Sequence, residues 1–370
     1  MKTSATIAAA SLAALLLTLA PAHSSQDNPK AAKPPDLSGL HDFDFFVGEW
    51  KAHHKRLKER LAASREWEEF DGTCSNRGLI DGFVNADDNV FNAPGGPVRG
   101  VGLASYDSGT GEWASWWLDG RNAHGDLDPP AKGRFVNGVG TFYSDDTLRG
   151  KPVRVKVTWS GITKSSVHWE QAFSGDGGKT WETNWISDFQ RVSDQPRQTE
   201  ADPAAPHDFD SRVGHWDVHH RRLKERLLDS HEWIEFDGKQ TQWHMMGGFA
   251  NVDENFFYIP GGAAFNGVTL RSYDPKTRKW AIWWLDGRSP FGPIGPPLVG
   301  TFENGVGTLY NDDTLRGKPV KVRFIWSNIT PTTAHWEQAF SPDGGKTWET
   351  NWFTDFRRAP SEAPASGARR

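Results

Sequence analysis

The sequence predicts an all-β chain made of two tandem antiparallel domains. Three observations predict it. His41–Arg191 is repeated as His207–Arg358, with about 91 of 151 aligned positions identical and one extra residue near Gly261–Asn266. Turn pairs punctuate each copy at hairpin spacing, and the runs between them alternate apolar with polar residues. Each copy is far too long for a solenoid repeat or a propeller blade, so each is a whole domain with its own core. Any function is therefore one that a single domain of this size can perform.

The ends come first. Met1-Lys2 is a short positive start, Ile7–Ala20 is apolar and rich in Ala and Leu, and Ala20-Pro21-Ala22 has the small-x-small pattern of a cleavage site. Residues 1–22 thus read as a secretory signal peptide, which makes the protein exported, periplasmic or extracellular, with cleavage near Ala22. The apolar run is short for a membrane span, and no later run reaches that length, so no stable membrane insertion is expected. Residues 23–40, 193–206 and 359–370 are rich in Pro, Ala, Ser and charge. They read as an unfolded leader, a linker and a tail around the domains at 41–192 and 207–358. The linker leaves docking and swinging of the domains both open.

Composition narrows the partners. A formal charge of −5 argues against nucleic acid, which wants a basic face. The one cysteine, Cys74, excludes an intrachain disulfide, and its counterpart is Gln240. All 19 Trp lie inside the two copies and supply much of the core.

Within each copy the strands follow from pattern. Asp71-Gly72, Pro94-Gly95-Gly96, Asn137-Gly138 and Gly177-Gly178 mark turns. Val153–Trp159 alternates cleanly, as a half-buried strand does. In Trp113–Arg121, Trp113, Ser115, Trp117, Asp119 and Arg121 share one parity, and Ala114, Trp116 and Leu118 the other. His53–Leu61 has a helical composition but runs straight on from Trp50 and is assigned as strand. Such strands suggest a sandwich or a barrel. Ser174–Trp181 and Ser341–Trp348 fit the S-x-D-x-G-x-T-W pattern of the Asp box, a braced hairpin. One per domain is too few for a propeller.

Gly48-Glu49-Trp50 opens the first copy and Arg191 closes it; Gly214-His215-Trp216 and Arg358 do the same in the second. This pairing resembles the lipocalin-like, or calycin, superfamily, and the first copy is similar to bacterial lipocalin-like domains of unknown function. The second copy departs at Ser211, where the first has Phe45. The resemblance implies two calycin-like β-barrels of about eight to ten strands. It further implies a structural plug of Gly48, Trp50 and Arg191, and of Gly214, Trp216 and Arg358, in which a cation covers an indole face. It implies a small-molecule cavity and carries over no catalytic residue.

Strand parity nominates the cavity wall. If Trp50 points inward, so do His54 and Arg56, with His220 and Arg222 in the second copy. Such a wall suits a carboxylate or phosphate. Glu69 and Asp71, and Glu235 in the second copy, are expected to neutralise it. The alternative is that the charged groups lie in solvated hairpin ends. Trp117, Asp119 and Arg121, matched by Trp284, Asp286 and Arg288, form a second candidate wall, or a same-face pair that fixes register. His168 with Glu170, and His335 with Glu337, could act as acid/base pairs or simply be hydrogen-bonded. His53-His54 are adjacent on a strand and point to opposite faces, so they cannot easily chelate one ion. No zinc spacing, nucleophile elbow or phosphate loop is present, and neither metal nor cofactor is expected, although a haem role for one His is conceivable.

The copies diverge most at Thr73–Asp81 against Lys239–Gly247, and at Asn122–Asp128 against Ser289–Gly295. If these segments line the cavity mouth, the domains take different ligands or one has lost its ligand; drift in surface loops is the alternative. The leading expectation is a tandem barrel that binds a small amphipathic or aromatic molecule. The alternatives are an isomerase, cyclase or hydratase using His168, Glu170, His54 or Glu69, and a carbohydrate-binding module with exposed Trp platforms. Oligomeric state is not legible.

Overall fold

The computed structural model describes residues 34–360, residue 263 excepted. The segment 1–22 expected to be a signal peptide, most of the segment 23–40 and nearly all of 359–370 lie outside the described residues. The first copy forms β1 (Gly48–Leu57), β2 (Trp67–Leu79), β3 (Val84–Phe91), β4 (Val98–Asp107), β5 (Glu112–Asp119), β6 (Ala131–Val136), β7 (Val139–Leu148), β8 (Lys151–Ser160), β9 (Ser166–Ser174) and β10 (Glu182–Ser193). The second forms β11 (Gly214–Leu223), β12 (Trp233–Met245), β13 (Ala250–Tyr258), β14 (Phe265–Asp274), β15 (Lys279–Asp286), β16 (Leu298–Glu303), β17 (Val306–Leu315), β18 (Lys318–Ser327), β19 (Thr333–Ser341) and β20 (Glu349–Arg358). Each strand pairs antiparallel with the next, and β1 closes on β10 as β11 closes on β20. The chain is all-β, with two closed antiparallel barrels in tandem. Closure leaves no free sheet edge.

The pleat sorts the residues of β1. Trp50, Ala52 and His54 are buried, while Lys51 and His53 are exposed. One end of each barrel is stoppered. Arg191 lies with its guanidinium carbon 4.1 Å from the Trp50 ring centroid, and Arg358 lies 4.4 Å from that of Trp216. Arg191 donates to the carbonyls of Val47 (2.6 Å), Lys164 (2.7 Å) and Phe45. Trp50 donates its indole N–H to Phe46 O at 2.8 Å. Gly48 sits at φ +127°, and a Cβ there would meet Ser193 O at 2.3 Å and Arg191 Nη1 at 2.7 Å. Glycine is therefore required where the strand passes under the arginine.

In the Ser174–Trp181 hairpin, Asp176 accepts from the backbone N–H of Lys179 (3.0 Å) and Thr180 (2.9 Å) and from the Thr180 hydroxyl (2.7 Å). Those donors favour the ionised carboxyl and hold it far below the usual carboxylate range. Ser341–Trp348 repeats the arrangement.

The barrels dock through outer faces. Val84, Ala86, Val101, Leu103, Ala114, Trp116 and Leu118 of the first form one apolar cluster with Ala250, Val252, Val268, Leu270, Ala281, Trp283 and Leu285 of the second. This explains why both parities of β5 are apolar: one faces the barrel interior, the other faces the partner barrel. The linker is strapped along the seam. Arg197 N donates to Ser75 Oγ (2.8 Å), Thr199 Oγ1 to Asp88 Oδ2 (2.7 Å) and Asp202 N to Gly247 O (2.8 Å). The leader reading is corrected at its end, because residues 34–40 are tied down: Trp113 donates to Gly39 O (3.1 Å) and Tyr106 to Asp36 O (2.9 Å).

The divergent segments are also corrected. They line the seam between the barrels, not a cavity mouth. Arg77 lies over the Trp243 ring at 4.9 Å, and Asp128 Oδ2 accepts from the N–H of Ile294 (2.9 Å) and Gly295 (2.8 Å). In a fused pair the two sides of the seam are free to diverge, because each need only fit the other and not itself.

Candidate functional site

The open end of the first barrel, opposite the Trp50–Arg191 plug, holds a cavity of about 360 Å³. Its apolar wall includes Phe91, Val98, Trp117 and Trp185; its polar wall includes Arg56, Arg60, Glu68, Asp119 and Arg121. Trp117 is 43 % exposed, unusual for an indole on an inward-facing strand position. It lies flat over Gly100, where a Cβ would meet its Cζ2 at 2.3 Å. Only glycine leaves room for the ring. Phe91 packs edge-on to both Trp117 (5.9 Å) and Trp185 (5.5 Å).

The cations are mostly neutralised from within. Arg56 Nε donates to Glu68 Oε1 at 2.8 Å, and its guanidinium lies 5.2 Å from Phe70 and 5.1 Å from Trp185. Arg121 donates from its backbone N–H and its Nε to Asp119 Oδ1, each at 2.9 Å. Burial works to raise the Asp119 carboxyl, but the donors of Arg121 outweigh it and leave it below the usual carboxylate range. Arg60 reaches the rim with a buried Nε that has no partner. Burial and the neighbouring Arg56 lower its guanidinium from the ordinary value.

His54 forms the floor. It is 2 % exposed, its Nδ1 lies 2.7 Å from Ser187 Oγ, and its ring packs against Phe70 and Phe91. Burial pushes its pKa down to about 4, so it is neutral at pH 7. It shapes the floor and carries no charge to a ligand. Below it, Asp87 faces inward against Gly102, and burial raises its carboxyl to about 6.

Register corrects the phase of the neighbouring strand. Arg56 pairs with Glu68, and Lys55 with Glu69. Residues directly opposite share a face, so Glu68 is the inward carboxylate and Glu69 and Asp71 lie outside. Glu69 and Asp71 flank His53 on the outer surface, at 3.3 and 2.9 Å. The candidate pairs His168–Glu170 and His335–Glu337 are likewise on the outer face. His168 Nδ1 lies 2.7 Å from Asp188 and its Nε2 lies 3.2 Å from Glu170; His335 Nδ1 lies 2.6 Å from Asp355 and its Nε2 3.3 Å from Glu337. Glu235 lies outside, 3.9 Å from His219. The ladder Asp71, His53, Asp188, His168 runs across four strands in register and recurs as Asp237, His219, Asp355, His335. These are cross-strand pairs on a solvated sheet, outside any cavity. Among the described residues, no group of three or more His, Cys, Asp or Glu is arranged to hold a metal ion.

The second barrel keeps the plan and changes the filling. His220 Nδ1 lies 3.0 Å from Thr354 Oγ1, and burial pushes its pKa down to about 3. Trp284 lies over Gly267 as Trp117 lies over Gly100. Where the first barrel has Val98 the second has Phe265, stacked on Phe257 at 4.3 Å and 11°. Arg288, paired with Asp286 (Nε to Oδ1, 2.8 Å), covers Phe265 at 4.0 Å. Ile234 stands where the first barrel has Glu68. Deeper in, Ala104 and Phe46 are replaced by the buried Arg271 and Arg212. Arg271 pairs with Asp253, and Arg212 lies 3.9 Å from both the Trp216 and Phe356 rings.

The sequence reading missed Glu68, Phe91, Val98 and Trp185 as cavity residues. Each follows from parity once the register of its own strand pair is known: Glu68 and Trp185 lie opposite Arg56, Phe91 opposite Gly72 and Val98 opposite Phe91. A wider open depression of about 550 Å³ lies over the plug, lined by Phe45, Ile162 and Arg191, but Arg191 is committed there to backbone carbonyls.

Comparison with known proteins finds distant likenesses among solved structures. No protein-family model matches the chain, and no curated protein does. Among solved structures, the S-type phycobiliprotein lyase of Guillardia theta aligns at 12 % identity over 42 % of this chain and 92 % of its own, with a TM-score of 0.31. A DUF3598 protein of unknown function from Nostoc punctiforme aligns at 9 % identity over 87 % of this chain and 99 % of its own, with a TM-score of 0.27. Among the described residues no helix is long and apolar enough to cross a membrane.

Proposed function

We propose that this is an exported, lipocalin-like tandem barrel whose first domain binds a small amphipathic or aromatic molecule at its open mouth. One observation carries the reading: Trp117 is held over Gly100 with 43 % of its surface exposed, at a cavity of about 360 Å³. An apolar wall with a few convergent polar groups is the usual make-up of a small-molecule site. Phe91, Trp117 and Trp185 offer ring faces and edges to an aromatic group. The Arg56–Glu68 and Arg121–Asp119 pairs offer hydrogen bonds at the rim without demanding a net charge from the ligand. Export rests on the N-terminal pattern of residues 1–22.

The test is a fluorescence titration of the mature protein with neutral indole and naphthol derivatives. Saturable quenching that falls at least about tenfold in affinity in Trp117→Ala, at unchanged thermal stability, supports the reading. Quenching that does not saturate, or that Trp117→Ala leaves intact, overturns it.

A further inference from the structure

The two mouths carry the same cations and different counter-ions. In the first barrel Arg56 is answered by Glu68 at 2.8 Å. In the second the arginine is kept as Arg222, but its cross-strand partner is Ile234. Arg222 lies 5.7 Å from the Phe236 ring and 5.1 Å from that of Trp352, and its buried Nε has no hydrogen-bond partner. Arg226, the counterpart of Arg60, adds a second cation; its guanidinium lies 5.9 Å from the Phe340 ring.

The nearby carboxylates are taken. Glu349 accepts from the backbone N–H of Leu227 at 2.9 and 3.0 Å, Glu225 accepts from Arg316 at 2.7 Å, and Asp286 is held by Arg288 at 2.8 Å. Among the described residues neither Arg222 nor Arg226 makes an ion pair. Two half-buried guanidinium groups that repel one another, with a donor pointing at no acceptor, leave a place for an anion from outside. A guanidinium fork matches the two oxygens of a carboxylate or the face of a phosphate.

We propose that the mouth of the second barrel binds the anionic headgroup of a small aryl carboxylate or aryl phosphate, through Arg222 and Arg226. The aryl part has the half-buried ring of Trp352 to lie against. Phe265, stacked on Phe257, fills space that Val98 leaves open in the first barrel, so the ligand sits at the rim and is small. The duplication then has two specificities: a mouth whose Arg56 is answered by Glu68, for uncharged or weakly polar molecules, and a mouth whose Arg222 is unanswered, for anions. This site shares no residue with the first barrel's cavity, and each proposal can fail without the other.

The experiment is isothermal titration of the mature protein with benzoate and with phenyl phosphate, and with benzyl alcohol as the neutral control. Ile234→Glu restores the internal counter-ion and is expected to weaken anion binding at least about tenfold, while benzyl alcohol titrations are unchanged. Glu68→Ile in the first barrel is expected to add a second anion site. Arg222→Met, which removes the donor without adding a buried carboxylate, keeps the test open if Ile234→Glu does not fold; it too should lose the anion. The response to benzoate against phenyl phosphate tells which headgroup is preferred. Absence of saturable anion binding in the parent protein, or binding in Ile234→Glu and Arg222→Met as tight as in the parent, overturns the proposal. Trp117→Ala separates the sites, because it removes neutral-ligand quenching and leaves anion binding in place.

Discussion

Ile80 and Met246 occupy equivalent positions in the two copies, and each donates its backbone N–H to an acidic residue of the opposite barrel. Ile80 N reaches Glu254 Oε2 at 2.9 Å and Met246 N reaches Asp88 Oδ1 at 2.8 Å. Both residues stand at positive φ, 51° in each case, so the two turns present their N–H groups in the same way. Asp88 and Glu254 are themselves equivalent positions. The seam is therefore isologous, as in a two-fold dimer, although its halves belong to one chain.

Asp88→Ala should weaken the seam. It leaves the buried N–H of Met246 without an acceptor and releases Thr199, at a cost of about 1–3 kcal/mol. Calorimetry is expected to show one unfolding transition in the parent protein and a broadened or split transition in the variant. A single unshifted transition would mean that the apolar cluster alone couples the barrels.

Arg191→Met should destabilise the first barrel selectively. The change strands the carbonyls of Val47, Lys164 and Phe45 and removes the cation from the Trp50 face. The loss is expected at about 2–4 kcal/mol, read from the urea midpoint. Arg358→Met should do the same to the second barrel.

Stability should fall in acid through His54 and His220. Their folded pKa values are lowered to about 4 and about 3, by burial, from an ordinary value of 6.5. Below 6.5 the unfolded chain binds protons that the folded chain does not. The contribution is therefore complete above that pH and is lost as pH falls toward the folded values. Between pH 7 and 5 each histidine should cost about 2 kcal/mol. His53 and His168 have raised pKa values and act in the opposite sense, stabilising below 6.5 and losing this as pH rises, but they lie on the solvated face where the effect is screened. Urea titrations at both pH values should show a smaller acid loss in the His54→Gln, His220→Gln double variant.

Gly100→Ala should unseat Trp117. The new methyl would meet Cζ2 and Cη2 at 2.3 and 2.6 Å, so the indole must swing off β4. A red-shifted Trp emission and about tenfold weaker binding of an aromatic ligand are expected, with the barrel still folded by circular dichroism. Unaltered emission would show that the strand yields in place of the ring.

The residues differ in how far they could be read beforehand. Trp50 and Arg191 were legible as a plug through the resemblance to lipocalin-like proteins that G-x-W and a closing arginine carry, and the Arg191 guanidinium does lie over the Trp50 ring. His54 and Arg56 were legible as inward, because parity within one strand follows from Trp50. Glu68 was misread as Glu69, since parity does not carry across a hairpin whose length is unknown. A shift of one residue there moves every side chain of β2 to the other face. The apolar second face of β5, Ala114, Trp116 and Leu118, signalled burial on both sides, but nothing in the sequence said against what.

The sequence by itself determined the duplication and its all-β character, which are local or periodic properties written in repeat, spacing and alternation. The residues that stopper each barrel were named through a resemblance. Tertiary structure decided which carboxylate faces Arg56, that Ile234 leaves Arg222 without one, and that the divergent segments at 73–81 and 122–128 form a seam between barrels. Those depend on strand register and on the docking of two surfaces, which are fixed by packing between residues far apart in the chain.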